Sequence, residues 1–168
     1  EANSKWGFSA AKTLDIAQKL YENKLVTYPR TGSRYIPEDI RNEIPELVKS
    51  LHAHPMLGAF AQKLNAFNGH CVNNHKITDH HALLITGNAA KGLEKEEQLI
   101  YDTIAGRMLE AFSPSCQKEV SQVVFTCNGI ELKAVGTLIK VTGWRALLNT
   151  VEKDETPLPV FAEGEIVP

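Results

Sequence analysis

The stretch LYENKLVTYPRTGSRYI, residues 20–36, is where a helical period stops and an extended one begins. Upstream of it, Leu14, Ala17, Leu20 and Tyr21 recur at three- and four-residue spacing, and Ser9 stands where it can cap that run. The pattern predicts a helix from Ser9 to about Lys24 with those four residues on one face. Downstream, Pro29 restrains the residue before it to extended geometry, so Tyr28 falls in a short extended stretch, Leu25 to Arg30. Side chains two apart on an extended chain leave by the same face, which sets Tyr28 beside Arg30. A phenol ordinarily titrates near ~10, too high for a ready nucleophile at neutral pH. A neighbouring guanidinium favours the phenolate and can grip a phosphate oxygen. The pair therefore suits attack of tyrosine on a phosphodiester, although a ring in the core and an arginine in solvent are the commoner account of the same three residues taken alone.

Outward from this segment the chain reads as helical first and β-rich last. Residues 36–54 give helical pieces interrupted at Pro45, with Pro37 in a first turn, and a further helix is predicted from Pro55 to about Phe67, ahead of Asn68-Gly69. The histidine-rich connection GHCVNNHKITDHHALLITG, residues 69–87, has no helical period and is expected to hold one short strand, Ala82 to Ile85. From about Glu94 to Phe112 comes the most regular helix, with Ile100, Ile104 and Met108 spaced by four. After SPSC the pattern changes. Asn128-Gly129 separates two β-rich runs and predicts a hairpin, and TLIKVTGWRAL, residues 137–147, reads as a further strand. The expected fold is mainly α with a small antiparallel β element, divided into a helical domain over residues 1–115 and a β segment over 116–168.

Composition excludes little. Of the 168 residues, 43 % are hydrophobic and 23 % charged, as in ordinary globular proteins, and the formal charge of −2 supplies no general field for a polyanion. Cations for such a partner have to be gathered locally, and Lys5, Lys12, Lys19, Lys24, Arg30, Arg34 and Arg41 do crowd the first part of the chain. Cys71, Cys116 and Cys127 are an odd, widely spaced set that suits free thiols in a reducing cytoplasm. No apolar run approaches a membrane span or a signal peptide. The missing initial Met and the tail AEGEIVP lead us to expect a piece excised from a longer chain.

The same string, LYENKLVTYPRTGSRYI, resembles the active-site segment of type IA DNA topoisomerases, where helix, short strand and Tyr-Pro-Arg-Thr-Asp-Ser occur in this order. TDHHALLIT, residues 78–86, resembles the Ser-Asp-His-His-Ala-Ile-Ile-Pro-Thr element of the topoisomerase III branch. EANSKWGFSAAKTLDIAQKLYE at the start, and GWRALL and LPVFAEGE near the end, resemble the flanks of that family's central region, so the likeness covers nearly the whole chain. It implies that Tyr28 is the nucleophile that becomes joined to a 5′ phosphate, that Arg30 steadies the scissile phosphate, and that His80 is the active-site histidine. Thr31 and Ser33 then offer hydroxyls to phosphates, and Lys24, Arg34, Asp79 and His81 are carried along as DNA-contacting neighbours. The fold it implies is a winged-helix, catabolite-activator-like tyrosine domain followed by the start of a β arch. The partners it implies are single-stranded DNA, the remaining domains of the same chain and a helicase, in the cytoplasm and with no membrane.

This sequence departs from the family pattern at two places: Gly32 stands where Asp is usual, and Ile85 where Pro is usual. The resemblance also implies Mg²⁺ in the intact enzyme, held by a Toprim domain that nothing here resembles, so no metal ligand is expected in this chain and the chain alone should bind DNA weakly without cutting it. Glu22, Glu38 and Asp39, the acids nearest Tyr28, are explained by helix faces and helix starts. A zinc site from His70, Cys71, His75 and His80 matches no usual ligand spacing. His52, His54, His70 and His75 read as loop or helix-end residues. The rival from another class is a non-catalytic winged-helix DNA-binding module in which Tyr28 merely packs. A relaxase would show a three-histidine metal cluster and a recombinase a late tyrosine with arginines upstream, and neither pattern occurs.

Overall fold

The computed structural model describes residues 1–147 and 155–166. Two compact units divide the chain, Glu1–Pro114 and Ser115–Pro168.

Among the described residues the first unit holds six α-helices and no strand longer than a single bridge. A short α1 (Ala2–Trp6), which the sequence reading did not anticipate, ends at Gly7 in a left-handed conformation and leads into α2 (Ala10–Glu22). Ser9 caps α2 as expected, its hydroxyl accepting the Lys12 N–H at 3.1 Å. The buried face of α2 is Ile16, Ala17 and Leu20, whereas Tyr21, expected on that face, is exposed. Helices α3 (Glu38–Arg41) and α4 (Ile44–Ser50) are the two pieces that Pro37 and Pro45 delimit, Pro37 lying just before α3 and Pro45 in the first turn of α4.

Helix α5 (Gly58–Lys63) is much shorter than the predicted Pro55–Phe67. The cause is tertiary: Asn68 is drawn to the end of the last helix. Its backbone N–H donates to Phe112 O at 2.9 Å and its side-chain amide to Ala111 O at 3.0 Å and to Ser113 O. These bonds satisfy carbonyls left open at a helix terminus, and they require residues 64–69 to run irregularly. Helix α6 (Lys95–Phe112) begins with a capping box between Glu94 and Glu97 and packs against α2. The core consists of one face of α6, Ile100 to Phe112, together with Phe8, Leu20, Val26, Ile36, Ile44, Val48 and Ile85.

In the second unit β1 (Gln117–Cys127) and β2 (Ile130–Val141) form the predicted antiparallel hairpin. Asn128 and Gly129 turn it with φ of 49° and 78°, the doubly positive geometry that a two-residue turn needs. The further strand expected over residues 137–147 is not separate: Thr137–Val141 extends β2, and Gly143–Leu147 is a 3₁₀ turn. Thr156 adds a bridge to Thr137 through hydrogen bonds of 3.0 and 2.9 Å, and Phe161 meets Phe125 edge to face. Leu148 of the GWRALL segment and the last two residues of the tail lie outside the described residues. The coarse expectation, helices first and a small antiparallel β element last, describes the chain.

Candidate functional site

The site begins with the way α2 stops. Leu25 N–H reaches back to Leu20 O at 2.9 Å and Lys24 N–H to Tyr21 O at 2.8 Å, with Lys24 left-handed at φ 59°. This six-to-one and five-to-two pair closes the helix and reverses the chain. The Lys24 carbonyl, turned outward, accepts the Thr86 hydroxyl at 2.5 Å and the Asn88 amide at 2.8 Å.

The reversal lays residues 25–36 against residues 71–88. Val26 and Ile85 form one antiparallel bridge, with Thr27 N–H to Leu84 O at 2.8 Å and Thr86 N–H to Leu25 O at 3.1 Å. The extended stretches expected at Leu25–Arg30 and Ala82–Ile85 are reduced to this bridge, because side-chain oxygens take over the pairing on either side. Thr27 Oγ1 accepts the Leu84 N–H at 2.9 Å, and the Thr31 hydroxyl donates to His80 O at 2.9 Å. Farther along, Ile36 pairs in parallel with Val72, and Ala82 N–H donates to Tyr35 O at 2.8 Å.

Tyr28 and His80, fifty-two positions apart in sequence, are thereby brought ring to ring, centroids 4.5 Å apart and planes inclined by 46°. Tyr28 is half-buried, and the Tyr21 ring meets it edge-on at 5.4 Å and 77°. Arg30 is exposed, and among the described residues no hydrogen bond or ion pair joins it to Tyr28. Lys24 and Arg34 are likewise exposed and make no ion pair among the described residues, which leaves three cations for an anionic partner. Asp79 is exposed, and His81 is half-buried with Nδ1 donating to Ala82 O at 2.7 Å.

The two hydroxyls expected to serve phosphates are engaged within the protein. Thr31 gives its proton to His80 O while accepting the Ser33 N–H at 3.1 Å, and Ser33 Oγ lies 3.2 Å from Lys76 O and 3.3 Å from Tyr35 O. Both hold the 31–36 segment to the 76–80 segment. Gly32 sits in open space, with no left-handed φ and no atom within 4 Å of where a Cβ would be. The backbone there does not require glycine.

Sequence reasoning missed three features. Lys76 lies with Nζ 3.2 Å from the Tyr35 hydroxyl and 4.8 Å above its ring. Tyr21 is a partner of Tyr28 rather than a core residue. His54 is a helix-end residue in a specific way: Nδ1 accepts the Met56 and Leu57 N–H groups ahead of α5, while Nε2 reaches Asp102 at 2.9 Å. The signals for all three are spatial, so spacing along the chain could not reveal them. Burial pushes the Cys71 thiol above its ordinary range. Among the described residues no three His, Cys, Asp or Glu side chains gather as a metal ion would require, and no helix is long and apolar enough to cross a membrane.

A family model described as DNA topoisomerase matches residues 1–168. The chain is 34 % identical to a protein named DNA topoisomerase 3 from Bacillus subtilis over 98 % of its own length and 24 % of that protein's. It is 37 % identical to DNA topoisomerase 3 of Shouchella clausii, covering 98 % and 24 %, and 33 % identical to DNA topoisomerase 1 of Methanocaldococcus jannaschii, covering 99 % and 22 %. The chain thus spans about a quarter of the length of these curated relatives.

Proposed function

Because this chain belongs to the DNA topoisomerase family, we propose that it is the strand-cleaving part of a longer type IA enzyme and that Tyr28 is the nucleophile. The observation that carries this is the meeting of Tyr28 and His80 at 4.5 Å, since the two segments with family-like motifs converge on one half-buried phenol. The phenol oxygen bonds to phosphorus, the phosphorus–O3′ bond breaks, the phenol proton passes to a base, and the departing 3′ oxygen takes up a proton. Religation reverses each step, so no ATP is consumed. Arg30 holds non-bridging oxygens of the phosphate and offsets charge that develops there. His80 borders the phenol and touches the reacting group, while Lys24 and Arg34 carry the strand's neighbouring phosphates. Thr31, Ser33, Asp79 and His81 complete the lining of the DNA path.

Among the described residues no group of His, Cys, Asp or Glu side chains fits a Mg²⁺ site. That ion belongs to a Toprim domain elsewhere in the longer protein, Glu1–Pro114 is the winged-helix gate domain, and the hairpin is the start of the arch. Single-stranded DNA is the substrate, the other domains of the same chain are partners, and a cytoplasmic enzyme working beside a helicase is the setting.

The test mixes the longer protein with 3′-labelled single-stranded DNA and Mg²⁺, with rapid denaturation afterwards. Label should migrate with protein, and Tyr28→Phe should abolish this while DNA binding persists. DNA binding without any adduct in the parent protein would reject the enzyme in favour of a non-catalytic winged-helix binding module.

A further inference from the structure

We propose that Tyr21 is a positioning residue for the Tyr28 phenol, an inference that rests on the reading of Tyr28 as nucleophile. Tyr21 occupies the last turn of α2, on a helix whose buried positions are Ile16, Ala17 and Leu20. It is 39 % exposed, so filling the core does not account for it. Its hydroxyl makes no hydrogen bond among the described residues. What its ring does contact is Tyr28, at 5.4 Å and nearly perpendicular, the arrangement aromatic quadrupoles favour.

The backbone makes this contact reproducible. Tyr21 O accepts the Lys24 N–H in the turn that closes α2, and that turn returns the chain so that residue 28 lies beside residue 21. Tyr28 thus has two ring partners of different origin, Tyr21 from the rigid helix and His80 from the 72–88 segment. Rotation of the phenol about its side-chain bonds must work against both. A tyrosine that attacks phosphorus needs its oxygen aimed in line with the leaving group, and a loosely held ring spends less time in that aim. His80 alone, on a segment tied by a few hydrogen bonds, restrains the ring only as well as that segment is restrained. Tyr21 adds a reference fixed to α2, and it acts through its ring rather than its hydroxyl.

Two arms test this. In the 168-residue chain, Tyr21→Leu should move the ring resonances of Tyr28 while α6 amide resonances stay in place, and Tyr21→Phe should leave both unchanged. In the longer protein, Tyr21→Leu should slow single-turnover adduct formation by about three- to tenfold with unchanged affinity for single-stranded DNA, and Tyr21→Phe should restore the parent rate. An unchanged rate in Tyr21→Leu overturns the inference. So does a loss of DNA affinity that accounts for the slower reaction, because Tyr21 would then be a stacking platform for bases. If the parent protein forms no adduct, the functional reading fails and this inference falls with it. That outcome is distinguishable because it needs no substitution at Tyr21.

Discussion

Replacing Thr27 by valine should loosen the seam on which Tyr28 is mounted. Valine keeps the shape of threonine but turns its hydroxyl into a methyl group, and Thr27 Oγ1 is the acceptor for the Leu84 N–H at 2.9 Å. Leu84 is 4 % exposed, so water cannot easily take the oxygen's place. A buried amide left without an acceptor costs about 1–3 kcal/mol. For a unit of the size of Glu1–Pro114, an unfolding entropy of about 2.1 cal/mol/K per residue converts each 1 kcal/mol into a fall of about 4 °C, hence about 4–12 °C in all. The assay is thermal unfolding of the chain monitored by circular dichroism at the helix band, with Thr27→Ser as the control that retains the oxygen. Serine should recover most of the loss. If valine melts within about 1 °C of the parent, the hydroxyl is not what satisfies Leu84 and the account of the seam is wrong.

Gly32→Asp should fold normally and gain up to about 0.5 kcal/mol in a denaturant titration, since a Cβ there meets nothing and the unfolded chain loses freedom. A clear destabilisation would show that the loop needs glycine. Gly58→Ala should cost about 1–3 kcal/mol, read by the same titration, because its Cβ would lie 2.5 Å from His52 O at the start of α5. Lys24→Gly should raise stability by about 0.5–1 kcal/mol by relieving a left-handed lysine, net of the extra freedom glycine brings to the unfolded chain. An alkylation time course should find exposed Cys127 modified well before Cys71. The Cys71 rate should need a higher pH than an ordinary thiol, because burial keeps it protonated. The folded chain holds that proton where the unfolded chain releases it, so the Cys71 contribution to stability should decline as pH rises past about 9.

Local chemistry made much of the fold legible. Ser9 announces α2, the four-residue spacing of Ile100, Ile104 and Met108 marks α6, and Asn128-Gly129 dictates a two-residue turn, each acting within a few positions of itself. Two of the readings that failed were decided by remote partners. The length of α5 is set by Asn68 reaching the end of α6, and the single bridge at Val26–Ile85 is set by threonine hydroxyls that replace a ladder. Tyr28 could be singled out beside Arg30 from its extended spacing, but His80 only through family likeness. Their contact depends on a chain reversal at Lys24, a residue whose left-handed backbone no propensity would suggest. Tyr21 was misread for a related reason: helical spacing identifies a face, but the turn closing the helix decides what that face meets.

Threonine side chains, rather than a continuous backbone ladder, join the Tyr28 segment to the His80 segment. Such a seam has its own hierarchy of opening. Each tie is a separate bond rather than a rung of one cooperative ladder, whereas the amides of α6 are locked in a packed helix. Under native conditions the Leu84 and Thr86 amides should therefore exchange with solvent deuterium through local opening, long before those of Ile104 to Leu109. The segment that carries Tyr28 would then be a small unfolding unit resting on a slower one, able to loosen and re-form while the helices beneath it stay intact.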